Sequence, residues 1–489
     1  MDRGDSPGPK TPSPPTTFRC RLSPGTRVEW RDGRCLVVRE RPLAVVELRE
    51  AGARLLEAVR QGRTLVPSQA ERALLHRLEA LGLAELRPVP RSWPRVTVVV
   101  PVRDRPAQLA ACLASLRRLR YPPDRLEVVV VDDGSRSPLP PLGQARLVRL
   151  PVPRGPAAAR NAGAREARGE VLAFVDSDCQ AEEGWLEELI TELARSGVAA
   201  AGGRVAASRE RGWLERYEAV RSPLDLGAQP ASVLPRGRVP YLVAACLAVR
   251  RADFETVGGF DERLRHGEDV DLCWRLASRG RRIVYQPLAV VRHDHRGRLR
   301  DFVLTRARYA ASEAALLRRH PGGHRWLSLS PGAAAAVVGM LAALLGRPRP
   351  AALGGLALAA ETAVAVRQLE DLGISPRRGL GALAAGQAAG LYHLCRQLCR
   401  YYGLPALSLA LLAGRARRRR LLLGLGAAAL VPALADWYRL RPSLSPPAFA
   451  AASLLDDLAY QSGLWLGCLR ERTIAPLLTE LRLIPGRGR

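Results

Sequence analysis

The chain has 489 residues, 47% of them hydrophobic and 5% aromatic, which is long for one domain and suggests two or three. Its formal net charge is +28, yet Lys10 is the only lysine. The excess is arginine beside heavy Ala, Gly and Pro use, which reads as a GC-rich coding bias rather than a designed basic face. No DNA- or RNA-binding motif is present, so no nucleic-acid partner is expected.

The nine cysteines are scattered and form no CxxC pair, so they read as small core residues in a reducing cytoplasm. Residues 1–23 are Pro- and Ser-rich without an apolar stretch, which predicts a disordered tail and no signal peptide. A module over residues 24–88 follows. Its alternating apolar runs flank Asp32-Gly33, a hairpin signal, and residues 51–60 and 68–83 carry apolar positions at helical spacing. Three strands followed by helices predict a small winged-helix-like unit. Pro88, Pro90 and Pro94 mark the linker after it.

Three β-branched runs then end in carboxylates: Val96–Val102 before Asp104, Glu127–Ser135, and Gly169–Asp178. Continuous Val-rich runs fit strands buried on both faces of a parallel sheet covered by helices. Helices are predicted over 107–119, 157–168, 182–195 and 270–278, with further strands over 242–250 and 282–285. Residues 95–300 are therefore expected to form an α/β domain with a mostly parallel sheet and crossover helices. Parallel strands deliver their carboxyl ends to one crevice. Asp132, Asp133, Asp176 and Asp178 should converge there and would repel one another without a cation. Hard oxygen ligands suit Mg²⁺ or Mn²⁺ holding a diphosphate, and that points to a nucleotide-sugar site.

Asp176-Ser177-Asp178, after the strand VLAFV, is the metal and donor candidate, with His293 as a third ligand. Pro101, Arg103, Asp104, Asp132 and Asp133 are candidates for the base and ribose, and Arg160 for phosphate or acidic neighbours. Gly267-Glu268-Asp269 opens the helix that carries Trp274 and Arg275 on the acceptor side. An inverting transfer to a hydroxyl needs a carboxylate to take its proton. Asp269 is the candidate base and Glu268 the second choice, expected to stay ionised at a helix N-terminus.

Beyond Pro331 come Ala/Leu/Gly runs at 332–346, 351–366, 379–394 and 421–435, each short of a bilayer span. Arg415 and Arg417–Arg420 lie between two of them, as a lipid-facing basic loop would. Residues 301–489 thus read as a helical region, either soluble with small-residue packing or associated with the cytoplasmic face of a membrane. Membrane association is placed first.

Together the order VVVPVRDR, VVVVDDGS, Ala159-Arg160-Asn161-Ala162-Gly163, FVDSD, Gly258-Gly259-Phe260-Asp261-Glu262 and GEDVDLCWRL resembles family 2 inverting glycosyltransferases of GT-A fold. The stretches VGGFDERL, QPLAVVRHDHRGR and RARYAASEAALLRRHPG extend the likeness to the mycofactocin-system glycosyltransferases, and residues 25–86 resemble PqqD-type peptide-recognition modules. The resemblance implies β-1,4-linked glucose transfer from UDP-glucose, one or several times, onto a peptide-derived mycofactocin precursor. Asp176 and Asp178 would then bind metal and donor, and Asp269 would be the base. The Gln-x-x-Arg-Trp motif of processive synthases has only a distant analogue, Gln397 to Tyr401, which this reading sets aside. A transferase acting on a lipid-linked or cell-wall acceptor is the alternative. A non-catalytic nucleotide-binding scaffold is the rival from another class, disfavoured by the presence of every carboxylate that turnover needs.

Overall fold

The computed structural model describes residues 18–483 apart from 24, 32–33, 41–42, 62–63, 89–91, 296, 324–325, 372–373 and 479. Residues 1–92 with 194–196 form one compact unit, and 93–193 with 197–489 form the other.

The first unit contains β1 (Phe18–Leu22), β2 (Thr26–Arg31), β3 (Arg34–Glu40), β4 (Leu43–Leu48), α1 (Glu50–Arg60), β5 (Thr64–Leu65), α2 (Gln69–Ala80) and β6 (Ala84–Pro88). β2 and β3 pair antiparallel from Thr26↔Arg39 to Arg31↔Arg34, as the hairpin signal predicts, although the turn itself lies outside the described residues. Strands interleave with helices in two sheets, β5-β1-β6 and β2-β3-β4, so the expected order of three strands and then helices is incomplete. Phe18–Leu22, expected within a disordered tail, is a strand pairing β5 and β6. A capping box fixes the start of α2: Glu71 N donates to Ser68 Oγ at 3.3 Å, and Ser68 N to Glu71 Oε2 at 2.8 Å. Val37, Leu56, Leu75 and Leu83 centre its core.

The second unit opens with β7 (Val96–Val102), α3 (Pro106–Leu116), β8 (Leu126–Asp132), β9 (Arg146–Arg149), α4 (Pro156–Glu166), β10 (Val171–Phe174), β11 (Cys179–Ala181) and α5 (Trp185–Leu193). It continues with β12 (Val198–Ala207), α6 (Trp213–Arg221), β13 (Ala231–Ser232), β14 (Leu247–Arg250), α7 (Arg251–Thr256), α8 (Glu268–Ser278) and β15 (Arg282–His293). The sheet order is β11-β15-β12-β14-β10-β7-β8-β9, with β13 on β15. β10, β7, β8 and β9 are parallel neighbours, whereas β14 runs antiparallel between β10 and β12. The mostly parallel α/β architecture expected from sequence is what forms. Alternation explains the valine runs: Val98 and Val100 join the core under α3 and α5, while Val99 and Val131 join the core under α4 and α8. Gly163 lets α4 lie close on the sheet, since a Cβ there would collide with Val99.

After β15 come α9 (Leu299–Arg319), β16 (Trp326–Leu329), α10 (Pro331–Leu344), α11 (Arg349–Asp371), α12 (Pro376–Gln397), α13 (Gly403–Leu412), α14 (Arg415–Leu440), α15 (Pro446–Glu471) and β17 (Glu480–Leu483). One turn of π-helix, Leu398–Tyr402, joins α12 to α13. Among the described residues, α14 is the one helix long and apolar enough to cross a membrane, by length and composition only. Its uncharged stretch 421–435 understates it, because the helix begins within the arginine run.

Candidate active site

The carboxyl ends of β7 and β10, the start of α4 and the start of α8 meet in a cleft of about 740 Å³. Its wall includes Pro101, Arg103, Asp133, Arg160, Asp176, Asp178, Glu268, Asp269, Trp274 and His293, so ten of the residues singled out from sequence share one cavity.

Arg160 organises the acids. It is 4% exposed, and it donates from Nη2 to Asp176 Oδ1 at 2.7 Å and from Nη1 to Glu268 Oε1 at 2.6 Å. Burial pushes the Asp176 carboxyl up, but Arg160, with His293 and Arg105, holds the group below the usual carboxylate range. Much of the repulsion expected among the acids is thus relieved by an arginine of the chain itself. Glu268 is buried in that pair, which leaves Asp269 as the carboxylate better placed to move a proton.

Asp269 sits in the first turn of α8, after Gly267 in the left-handed region (φ 81°). Its Oδ2 accepts from Ala244 N at 3.2 Å, and its Oδ1 from Val270 N at 2.9 Å. The expectation that the helix N-terminus simply keeps it ionised needs correction. Burial, and then the neighbouring Glu268 carboxylate, push Asp269 up to about 7. That value places the group near neutral pH, where a general base works well.

Asp178 Oδ2 accepts from Arg105 Nη1 and lies 3.5 Å from His293 Nε2. Asp178, Cys179 and His293 have candidate ligand atoms within 4.8 Å of one another. Burial holds the Cys179 thiol well above its ordinary value, so it stays protonated and is no ligand for a hard cation. A carboxylate and an imidazole remain; the carboxylate suits Mg²⁺ or Mn²⁺, and the imidazole suits a transition ion such as Mn²⁺ better than Mg²⁺. Asp176, grouped with them from sequence, turns instead to Arg160. Behind His293, His295 Nδ1 lies 3.2 Å from His293 Nδ1 and 3.6 Å from Glu218 Oε2. Burial, then His293 and Arg306, lower His295 to about 3, so it is a neutral support that leaves His293 Nε2 towards Asp178.

Three candidates do not line this cleft. Asp132 is fully buried and accepts from Ser135 N at 2.8 Å and Arg149 Nε at 2.9 Å. Asp104, at φ 51°, accepts from Arg136 N at 2.7 Å and receives Ser137 N at 3.3 Å, tying two loops together. Arg275, expected on the acceptor side, is held instead by Asp271 Oδ2, Val257 O and Gly259 O and faces a separate pocket. It clamps the turn before α8. Trp274 does reach the cleft, its indole N–H held by Pro240 O at 2.9 Å.

The structure adds residues that the sequence did not single out. Arg105, one position beyond Asp104, answers Asp178. Tyr241, Tyr309, Arg400 and Tyr460 also line the cleft. The Arg400 guanidinium stacks 3.6 Å from the Tyr460 ring centre and pairs with Asp457 at 3.5 Å. Gln397 to Tyr401 was set aside because it lies far downstream in a helical run. The helices fold back and bring its arginine to the cleft.

Residues 97–258 match the model of glycosyl transferase family 2. The chain is 38% identical over 416 residues to the pre-mycofactocin glycosyltransferase of Mycobacterium tuberculosis H37Rv, covering 81% of this chain and 84% of that protein. It is 31% identical over 248 residues to the O-antigen biosynthesis protein RfbC of Myxococcus xanthus, covering 46% of this chain and 19% of that protein. Among solved structures, a mannosyltransferase from Pyrobaculum calidifontis in complex with GDP-Man and Mn²⁺ aligns at 22% identity and a TM-score of 0.39, over 70% of this chain and 88% of that one. The likeness to the mycobacterial enzyme runs far past the sheet into the helical region. The chain belongs to the family 2 glycosyltransferases and, within them, to the pre-mycofactocin glycosyltransferases.

Proposed function

We propose that the chain adds glucose, β-1,4-linked and in one or several rounds, from UDP-glucose to the peptide-derived mycofactocin precursor by an inverting single displacement. The observation that carries this reading is Asp269, raised to about 7, in the same cleft as Asp176, Asp178 and His293.

Asp269 takes the proton of the acceptor hydroxyl as its oxygen bonds to the sugar carbon and the bond to the diphosphate breaks. Glu268 and Arg160 hold α8 and the DSD turn in register, fixing the base relative to the donor. Asp178 and His293 would hold Mg²⁺ or Mn²⁺, which when bound supplies positive charge to the leaving diphosphate. Arg103 and Arg105 offer further charge to the phosphates, and Asp133, on the same wall, is the candidate contact for the nucleoside. Trp274, Tyr241 and Tyr460 give apolar ring surface on which an acceptor sugar or side chain can lie. The first unit is the candidate holder of the peptide part. Its β2 and β4 are sheet edges, and Trp30 on β2 is 59% exposed.

Mass spectrometry of the precursor incubated with UDP-glucose and Mn²⁺, beside an Asp269→Asn control, tests this. Hexose-sized additions absent in the control support it. Free UDP with unmodified precursor would move a lipid-linked or cell-wall acceptor ahead, a reading favoured by the leucines exposed on α10–α14.

A further inference from the structure

Three helices far apart in sequence meet at one buried arginine. Arg306 of α9 is 3% exposed. Its Nη2 donates to Glu218 Oε1 of α6 at 2.7 Å, and its Nε to Asp456 Oδ1 of α15 at 2.9 Å. Both carboxylates are buried as well. The guanidinium stacks 4.8 Å from the Phe302 ring centre. Around it the backbones come close. A Cβ at Gly463 of α15 would fall on Ala307 O, next to Arg306, and one at Gly467 would lie 2.5 Å from Ala311 O.

Each acid leads on to a different part of the cleft. Glu218 Oε2 lies 3.6 Å from His295 Nδ1, which lies 3.2 Å from His293 Nδ1. His293 Nε2 in turn lies 3.5 Å from Asp178. On the other side, Asp456 Oδ2 accepts from the Tyr217 hydroxyl at 3.0 Å and lies 3.9 Å from Arg400 Nη1. Arg400 is stacked on Tyr460, and both line the cleft. Burial pushes the Asp456 carboxyl up, but Arg306, Arg400, the Tyr217 hydroxyl and Arg396 together hold it below the usual carboxylate range. Apolar packing of the same volume often equals or exceeds a buried ion pair in stability, so stability alone gives no reason for this triad. What the arginine supplies is a planar fork that sets α6 and α15 relative to α9.

We propose that Arg306 is a positioning residue that joins the two sides of the cleft. Through Glu218 and His295 it holds His293 towards Asp178, and through Asp456 it holds Arg400 against Tyr460. This role rests on the reading that Asp178 and His293 hold a divalent ion, and not on which sugar or acceptor is used.

Two readouts on the full chain test it, neither of them activity. Mn²⁺ binding is titrated by electron paramagnetic resonance of the free ion, and phenylglyoxal labelling of Arg400 is followed by peptide mass. Arg306→Lys keeps the charge and loses the fork. It should raise the Mn²⁺ dissociation constant by about tenfold or more, as loss of an outer support does, and Arg400 should label faster. Arg318→Met, which removes an exposed pair with Glu471 on the same helix, should change neither. If Arg306→Lys does not fold, Asp456→Asn should give the same two changes from a side chain distant in sequence from the metal ligands. A folded variant that matches the unchanged chain in both readouts would overturn the proposal. So would a change on one side alone, because the two sides would then not be joined. Failure of the metal reading shows elsewhere: the unchanged chain would bind no Mn²⁺, or His293→Ala would bind it as tightly, and the proposal would fall with that reading.

Discussion

In the sheet, Val98, Val99, Val130 and Val131 are fully buried, and the cleft acids Asp133, Asp176 and Asp178 lie where the strands stop. In α10–α13 the buried helix positions are glycine and alanine, and Leu412 is 84% exposed. The two regions use similar apolar residues and differ in which are covered. A sheet presents two flat faces that helices can bury, so large branched residues go inside. Helices that meet through glycine gain close contact and leave large residues outward, which suits an apolar surrounding. Chemistry collects in the first region, where strand ends and helix starts bring charged groups to one cleft. Arg400, in the turn between α12 and α13, shows the second region reaching across to wall the same cleft, beside Tyr460 of α15.

The contrast can be broken at its catalytic end first. Asp269→Asn should lower transfer by about 10²–10⁴-fold with the fold retained, measured as UDP release and product mass. For the native enzyme, activity should rise as pH increases through about 7 and level off above it, because the protonated carboxyl cannot accept a proton. Stability has the opposite sign. A carboxyl raised from 3.8 to about 7 by folding contributes most below its unfolded value, and the contribution is lost as pH rises through about 7. Asp269→Asn should flatten that slope in urea titrations at several pH values.

Arg160→Met should destabilise the second unit by about 3–5 kcal/mol, since Asp176 and Glu268 lose their buried partner. Adding Asp176→Asn and Glu268→Gln in the same chain should recover part of the loss in chemical denaturation.

Gly354→Leu asks whether the glycine contact holds α10 to α11. Melting should fall by the equivalent of about 1–3 kcal/mol, whereas Leu412→Gln, on the outer face, should leave melting unchanged.

His293→Ala should raise the Mn²⁺ concentration for half-maximal activity by about tenfold or more, since even outer supports of a metal site cost that much. Chelation should stop transfer, and Mn²⁺ should restore it. The smallest effect is expected for Arg400→Lys, which keeps the charge and loses the stacked plane over Tyr460. KM for the acceptor should rise about two- to fivefold, with donor turnover unchanged.

The valine runs, the carboxylates that end them and the order of the motifs along residues 96–295 were legible in the sequence because strand burial and strand-end chemistry are local properties. They determined the α/β class and most of the candidate site. Tertiary structure decided what local patterns do not encode. Asp104 and Asp132 became loop fasteners because turns fold onto their oxygens, and Arg275 was drawn to the carbonyls before α8. Asp269 rose to about 7 because burial and Glu268 act on it only once α8 is docked. Arg400 joined the cleft because helices far along the chain return to it, and proximity of that kind depends on packing rather than on spacing.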